Sequence, residues 1–187
     1  MFSYIAFYPS LAFNIAKNYL QPGKWAWFNR IDDGLIVGAL PFKSMVEDLK
    51  KENVGGVVCC TEPFELAVTY NSMDDEDWKK ENIKFYHIPM TDFFGSTSRV
   101  NMLGALSFIE EVNNEGKSVY VHCKAGRTRS ATIAMCYLIK KYNYMPNVAL
   151  EYLRNKRPQV LLRNAHWRTV NEYRRYLDAQ SKSPLKQ

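Results

Sequence analysis

The chain has few of the residues that hold disulfide-rich or metal-dependent proteins together. Its 187 residues include four cysteines and three histidines, with no Cys-x-x-Cys pair and no cysteine–histidine cluster of zinc-site spacing. Internal repeats and low-complexity tracts are also missing. A composition of 47% hydrophobic and 24% charged residues therefore indicates about one globular domain with a sizeable core.

Acidic residues are absent from the N-terminal segment, where the first is Asp32. Residues 1–20 are rich in aromatic and aliphatic side chains and carry one cation, Lys17. Pro9 and Ser10 divide them into pieces shorter than the roughly 20 residues that span a bilayer. The segment also lacks the basic region and the cleavage site of a secretory signal. We expect residues 1–23 to be a hydrophobic segment for targeting or membrane association, either a leader or an interfacial anchor.

Positive charge is concentrated in the C-terminal part of the chain. From Lys140 to Gln187, eleven Lys or Arg residues outnumber three acidic ones, whereas the remaining residues carry a net charge of −2. This distribution suits an anionic substrate or surface, or else a solvated helix face. Since no nucleic-acid-binding motif accompanies the charge, we expect no nucleic-acid partner.

The hydrophobic pattern alternates between short β-branched runs and helical spacing. It predicts strands at 34–40, 54–60, 83–88 and 117–122, and helices at 41–51, 75–81, 100–112, 130–142, 146–157 and 165–180. Residues 61–65 are predicted to form a loop. The alternation predicts an α/β fold with a central, largely parallel sheet flanked by helices. In such sheets ligands bind beyond the carboxyl ends of the strands.

The segment Val121–Ser130 has the sequence VHCKAGRTRS and lies between a predicted strand and a predicted helix. Cys123 is the candidate nucleophile toward a phosphate monoester. Arg129, six positions later, can hold two phosphate oxygens with its planar guanidinium group. The residues between them can turn their backbone N–H groups inward and form an anion nest at a helix N-terminus. The predicted nest comprises Lys124, Ala125, Gly126, Arg127 and Thr128.

Two further side chains are candidates for catalysis. Asp92, in the loop Thr91–Gly95 after a predicted strand, is the best general acid for the leaving group, and would then act as base for the hydrolytic water. Phe93, Phe94 and Gly95 belong to the same loop, which its glycine would let close over the site. Ser130 can stabilise the Cys123 thiolate, cap the helix, or do both. His122 is interpreted as a hydrogen-bonding support that lowers the cysteine pKa.

The charged residues around the motif bear on the substrate. Lys124 and Arg127 exceed what a single phosphate requires, which favours a substrate with further negative charge, such as a phospholipid headgroup; surface solubility is the alternative. Glu62 and Glu65 follow a neighbouring strand and can accept hydrogen bonds from substrate hydroxyls, or else solvate a loop.

The other cysteines are expected to remain reduced thiols, as the nucleophile must. Cys59 and Cys60 lie on an apolar predicted strand and suit core packing, with a resolving role toward oxidised Cys123 as the alternative. Cys136 lies within a predicted helix and suits the core.

Four segments together resemble the mitochondrial phosphatidylglycerophosphatase and protein-tyrosine phosphatase family of cysteine-dependent phosphatases. They are Trp27–Gly38, Glu62–Glu65, Thr91–Asp92 and His122–Ser130. The resemblance covers residues 25–176 and implies a dual-specificity phosphatase fold, with a phosphatase domain at 24–180 and a polar tail at 181–187. One departure is the loop Glu-Pro-Phe-Glu, where the family usually has Glu-Glu-Tyr-Glu.

The resemblance also implies an activity and a location. The expected reaction converts phosphatidylglycerophosphate to phosphatidylglycerol during cardiolipin synthesis, without metal or cofactor. The expected enzyme is a monomer that contacts the matrix side of the inner mitochondrial membrane peripherally. Alternatives are a dual-specificity protein phosphatase, a phosphoinositide phosphatase, a phosphate-binding module without turnover, and a cytoplasmic location.

Overall fold

The computed structural model describes residues 2–92 and 97–182, with side chains described for 7–92 and 97–181. Phe93, Phe94 and Gly95 of the predicted acid loop lie outside the described residues, as do residues 183–187 of the predicted polar tail.

In the described part of the chain, five strands form one sheet with the order β1-β2-β5-β3-β4. Their bounds are β1 Phe28–Asp32, β2 Leu35–Gly38, β3 Val54–Cys59, β4 Lys84–His87 and β5 Ser118–His122. Only β1 runs antiparallel, to β2, and the other three pairings are parallel. The predicted largely parallel sheet is therefore confirmed.

Helices cover both faces of this sheet. Their bounds are α1 Phe2–Leu20, α2 Val46–Lys51, α3 Pro63–Ala67, α4 Asp75–Lys80, α5 Arg99–Asn114, α6 Arg129–Tyr142, α7 Pro146–Lys156 and α8 Asn164–Lys182. The larger core packs α5, α6, α7 and α8 against one face, where α6 is buried from Arg129 to Ile139. The smaller core packs α2 and α4 against the other face through Val46, Leu49 and Trp78. This arrangement confirms the α/β class.

The N-terminal segment is one helix rather than two apolar pieces, because α1 continues through Pro9. Phe7, Leu11 and Asn14 on one side of α1 are buried against the rest of the protein. Within the described residues, no helix is long and apolar enough to cross a membrane.

The carboxyl ends of the parallel strands lie along one edge of the sheet. Cys123 follows β5, the Glu62–Glu65 turn follows β3, and Asp92 lies beyond β4. The fold thus brings the candidate residues of three loops to a common site, as parallel α/β sheets do.

Candidate active site

Residues 123–129 form a tight loop between β5 and the first turn of α6. Gly126 has a φ of +64°, in the left-handed region that glycine adopts without steric cost. A Cβ at this position would overlap the backbone carbonyl of Gly38. Two backbone hydrogen bonds fix the loop, from Leu40 N–H to Lys124 O at 3.2 Å and from Leu161 N–H to Arg127 O at 3.0 Å.

Cys123 lies at the bottom of this loop, where only 3% of the residue is exposed. Its Sγ is 3.4 Å from the hydroxyl of Ser130. Burial alone would raise the pKa of Cys123, but the Arg129 charge, the Ser130 hydroxyl and the N–H groups of Ser130 and Arg127 outweigh it, so the net pKa is lowered. A low thiol pKa supplies the thiolate that attacks phosphorus.

Arg129 is fully buried and is held by Glu65. Its Nη1 and Nη2 atoms donate to the two carboxylate oxygens of Glu65 at 2.5 and 3.0 Å, and Nη1 also donates to Met90 O at 3.0 Å. Burial opposes the charge of Arg129, yet the Glu65 hydrogen bond and the nearby anions raise its pKa. Arg129 Nε has no hydrogen-bond partner among the described residues, which leaves one N–H for a phosphate oxygen.

Glu65 does not take the predicted position toward substrate hydroxyls. The residue is completely buried, and both of its oxygens are used by Arg129 while Oε2 also accepts the Glu62 N–H at 2.8 Å. The physical reason is that the buried guanidinium needs a carboxylate partner. Glu62 and Glu65 instead form a capping box at the start of α3, so residues 63–65 are helical rather than a loop.

Asp92 lies beside the loop, as the acid role requires. One carboxylate oxygen is 3.2 Å from Arg129 Nη2, and the other accepts a hydrogen bond from Lys124 Nζ. The candidate acid and the phosphate-binding arginine therefore share one site.

The two extra cations differ in their surroundings. Lys124 is 3% exposed and lies under α1, with its Nζ 5.5 Å from the ring centre of Phe7. Lys124 therefore belongs to the interior of the site and not to its exposed edge. Arg127 is half-buried, and its guanidinium carbon lies 5.0 Å from the Trp25 ring centre while Nε donates to Gln159 O at 3.1 Å.

Arg157 is a positioning residue that the sequence did not single out. This buried side chain donates from Nε to Gly126 O at 2.7 Å and from Nη2 to Ala125 O at 3.3 Å. Its Nη1 reaches Asn29 Oδ1 at 2.6 Å. Because it is one of eleven C-terminal cations, nothing in the local sequence distinguishes it from its neighbours.

Helix α1 also contributes to the site. A cavity of about 90 Å³ is lined by Ser10, Phe13, Asn14, Trp25, Asp92, Cys123, Lys124, Ala125, Arg127, Thr128, Leu161 and Arg163. Three of these residues belong to α1, so the segment expected to serve targeting or membrane association forms one wall of the site.

The neighbouring histidine and cysteines remain uncharged. Burial lowers the pKa of His122 to about 3, so its ring, stacked 5.8 Å from Tyr120, is neutral. The role of His122 as a hydrogen-bonding support that lowers the cysteine pKa stays a prediction. Burial raises the pKa of Cys59 to about 11, and that of Cys60 well above the ordinary range. Cys60 packs in the same core cluster as Cys123, whereas Cys59 contacts Thr61 at 3.0 Å.

Comparison with known families agrees with this geometry. The catalytic domain of dual specificity phosphatases matches residues 49–176. The chain belongs to the dual-specificity phosphatase family. It is therefore a cysteine-dependent phosphatase, in which Cys123, Arg129, Asp92 and Ser130 occupy the site just described.

Individual relatives of this dual-specificity phosphatase carry more specific names. Phosphatidylglycerophosphate phosphatase PTPMT1 of Arabidopsis thaliana is 38% identical over 89% of this chain, which spans about half (48%) of that relative's length. Phosphatidylglycerophosphatase and protein-tyrosine phosphatase 1 of Mus musculus is 31% identical over 95% of this chain and 92% of its own. A crystal structure of PTPMT1 in complex with PI(5)P is 31% identical, with a TM-score of 0.79, covering 83% of this chain and 99% of that one.

Proposed function

We propose that this phosphatase removes the monoester phosphate of phosphatidylglycerophosphate and leaves phosphatidylglycerol. The observation that carries the proposal is the buried Cys123 with its lowered pKa inside an anion nest. The choice of lipid is supported by the names of the two relatives. The cationic residues beside the nest, Lys124 and Arg127, favour a multiply charged substrate.

In the first step the substrate phosphate occupies the nest and takes Arg129 as its partner in place of Asp92. The Cys123 thiolate attacks phosphorus, the bond to the leaving alkoxide oxygen breaks, and Asp92 donates its proton to that oxygen. Phosphatidylglycerol leaves, and the phosphate remains on the cysteine sulfur as a phosphocysteine.

In the second step Asp92, now a carboxylate, takes a proton from a water molecule that attacks the phosphocysteine. The sulfur–phosphorus bond breaks, inorganic phosphate forms, and the thiolate returns. Ser130, 3.4 Å from Cys123 Sγ, stabilises the leaving thiolate in this step.

A substrate panel tests the assignment. Phosphate release is measured side by side on phosphatidylglycerophosphate, on inositol lipids and on phosphotyrosine peptides, and we expect the highest kcat/KM for phosphatidylglycerophosphate. A preference for phosphopeptides by orders of magnitude would make the protein a dual-specificity protein phosphatase, and a preference for inositol lipids a phosphoinositide phosphatase.

The proposed site of action is the matrix side of the inner mitochondrial membrane. Near its C-terminal end α1 exposes Ile15, Tyr19 and Leu20, which suits peripheral insertion into an anionic bilayer beside Lys17. Replacing Tyr19 and Leu20 by Ser should reduce flotation with cardiolipin-containing liposomes, and unchanged flotation would reject this contact. The monomeric state stays a prediction, as do the boundaries of the phosphatase domain at residues 23–24 and 180–181.

A further inference from the structure

Asn14 of helix α1 presents a buried amide group to the active-site cavity. The residue is 2% exposed, and its Oδ1 accepts a hydrogen bond from Trp25 Nε1 at 2.7 Å. Its Nδ2 has no hydrogen-bond partner among the described side chains and backbone groups. An unpaired buried donor costs free energy, so its retention on the wall of a binding cavity points to a ligand that accepts the hydrogen bond.

Trp25 fixes the orientation of this amide and links it to a cation. The indole N–H binds Asn14 Oδ1, which turns Nδ2 away from Trp25. The face of the same indole lies 5.0 Å from the Arg127 guanidinium carbon. Asn14 and Arg127 are therefore held by the two parts of one side chain, and both line the cavity that contains Cys123.

A second arginine adds to the positive charge at this wall. Arg163 lines the same cavity, and burial together with the Arg163 charge lowers the pKa of Arg127. Two cations that line the same cavity favour the binding of an anion there.

The nest itself already accounts for one phosphate. Residues 124–129 follow Cys123 as the nest, and Arg129, held by Glu65, keeps its Nε N–H for a phosphate oxygen. Asn14 belongs to neither the nest nor its supports, because it lies on α1 and its side chain bonds, among the described residues, to Trp25.

We infer that Asn14, together with Arg127 and Arg163, binds a second anionic group of the substrate, a phosphodiester, while the Cys123 loop holds the monoester. The inference rests on the proposed function, since phosphatidylglycerophosphate carries both groups on one glycerol. It makes α1 part of the substrate-binding site in addition to any role at a membrane.

Two water-soluble substrates test this subsite without lipid. One is the deacylated headgroup of phosphatidylglycerophosphate, which keeps the phosphodiester, and the other is glycerol phosphate, which lacks it. We expect wild-type kcat/KM to favour the deacylated headgroup by about tenfold or more. Equal values for the two substrates would overturn the inference.

The Asn14→Asp variant keeps an acceptor for Trp25 but replaces the amide donor by a negative charge. We expect it to lower the preference for the deacylated headgroup over glycerol phosphate by about tenfold or more, and Asn14→Ala to lower this preference less. Asn18→Ala is the matched control, because Asn18 Nδ2 donates to Trp25 O at 2.9 Å from the same helix without lining the cavity; its preference should equal that of the wild type.

Thermal melting of each variant establishes that it is folded, and Asn14→Ala decides the question if the aspartate variant does not fold. A folded Asn14 variant that prefers the deacylated headgroup as strongly as the wild type does would contradict the subsite. The lipid panel is independent of this result: its failure would remove the proposed lipid substrate, whereas failure of the soluble pair would remove only the phosphodiester subsite.

Discussion

At the scale of single residues, the site depends on how Arg129 is oriented. Glu65 holds two of its nitrogens, Met90 O accepts a further hydrogen bond, and Nε is left for substrate. A buried guanidinium with a bidentate carboxylate partner has little freedom to turn. Glu65 therefore acts through Arg129 and needs no contact with the headgroup.

Replacing Glu65 by Gln tests this role. The amide cannot accept both N–H groups, so Arg129 should lose its fixed orientation. The free energy of unfolding should fall by up to about 3–5 kcal/mol, the range for breaking a buried ion pair. We expect kcat/KM to fall about tenfold or more, and by the same factor for an aryl phosphate and for the lipid.

Equal losses of kcat/KM on the aryl phosphate and on the lipid would show that Glu65 acts through Arg129 and not as a contact to the lipid headgroup. If only lipid hydrolysis fell and thermal stability stayed at the wild-type value, Glu65 would be a headgroup contact as the sequence had suggested.

The thiolate of Cys123 gives a prediction about pH. Burial raises the pKa of Cys123, but Arg129, Ser130 and backbone N–H groups outweigh it and lower the pKa below the ordinary thiol value. The reactive thiolate is therefore present at pH values above this lowered pKa, the midpoint of its titration, and is lost as the pH falls through it. Ser130→Ala removes one donor to the sulfur and should shift this midpoint to higher pH. The rate of iodoacetamide modification as a function of pH measures the midpoint.

Cys123→Ser serves as the control for this titration, because it should abolish the fast modification while the other three buried thiols stay slow. A midpoint that Ser130→Ala leaves in place would show that the hydroxyl does not stabilise the thiolate.

At the scale of elements, the nest depends on segments far from it in sequence. Arg157, just after α7, binds the carbonyls of Gly126 and Ala125 and also reaches Asn29 on β1. It therefore holds the loop backbone against the sheet edge. The left-handed Gly126 lies against Arg157 and Gly38, so the loop has little room to relax.

Arg157→Lys tests this support. Lysine keeps the charge but cannot donate to several carbonyls in a planar fork, so we expect a lower Tm and a fall in kcat that exceeds any change in KM. Arg154→Lys on α7 is the matched control, because Arg154 Nε donates to Val160 O at 3.2 Å and not to a residue of the nest. Similar behaviour of the two variants would contradict a specific role for Arg157.

Several elements follow from local sequence signals, and others do not. The β-branched runs and helical spacing predict β2 to β5 and most helices because burial of these residues dominates their conformation. Strand β1 was missed although Asp33-Gly34 joins it to β2 in a two-residue hairpin turn. Helix α3 was also missed, although Pro63 at its first turn and Glu65 at the capping position are start signals.

Helix α1 was missed for a different reason. Pro9 is ordinarily a helix breaker, but contacts of α1 with the rest of the fold, such as Phe7 with Phe64 at 6.0 Å and Tyr8 with Val68 O at 3.0 Å, supply stabilisation that local sequence does not reveal. Tertiary packing outweighs propensity here.

At the scale of the whole molecule, the catalytic residues lie closer together in the sequence than the residues proposed to recognise the substrate. Cys123, Arg129 and Ser130 fall within one motif, and the strand-end position of Asp92 is enough to place it near them. Asn14 and Arg157 are far apart in the sequence, and the fold places Arg157 against the nest and Asn14 on the wall of the adjoining cavity. A sequence motif can therefore identify the reaction, while the proposed substrate contacts around it are assembled by the fold.

In the proposed mechanism, the phosphate of phosphatidylglycerophosphate passes through Cys123. The most direct measurement is a rapid acid quench of the wild-type protein with lipid labelled in the monoester phosphate, followed by mapping of the labelled peptide. We predict a labile phosphate on Cys123 and no label or turnover in Cys123→Ser. Label on another residue, or lipid hydrolysis by Cys123→Ser, would contradict a phosphocysteine at Cys123.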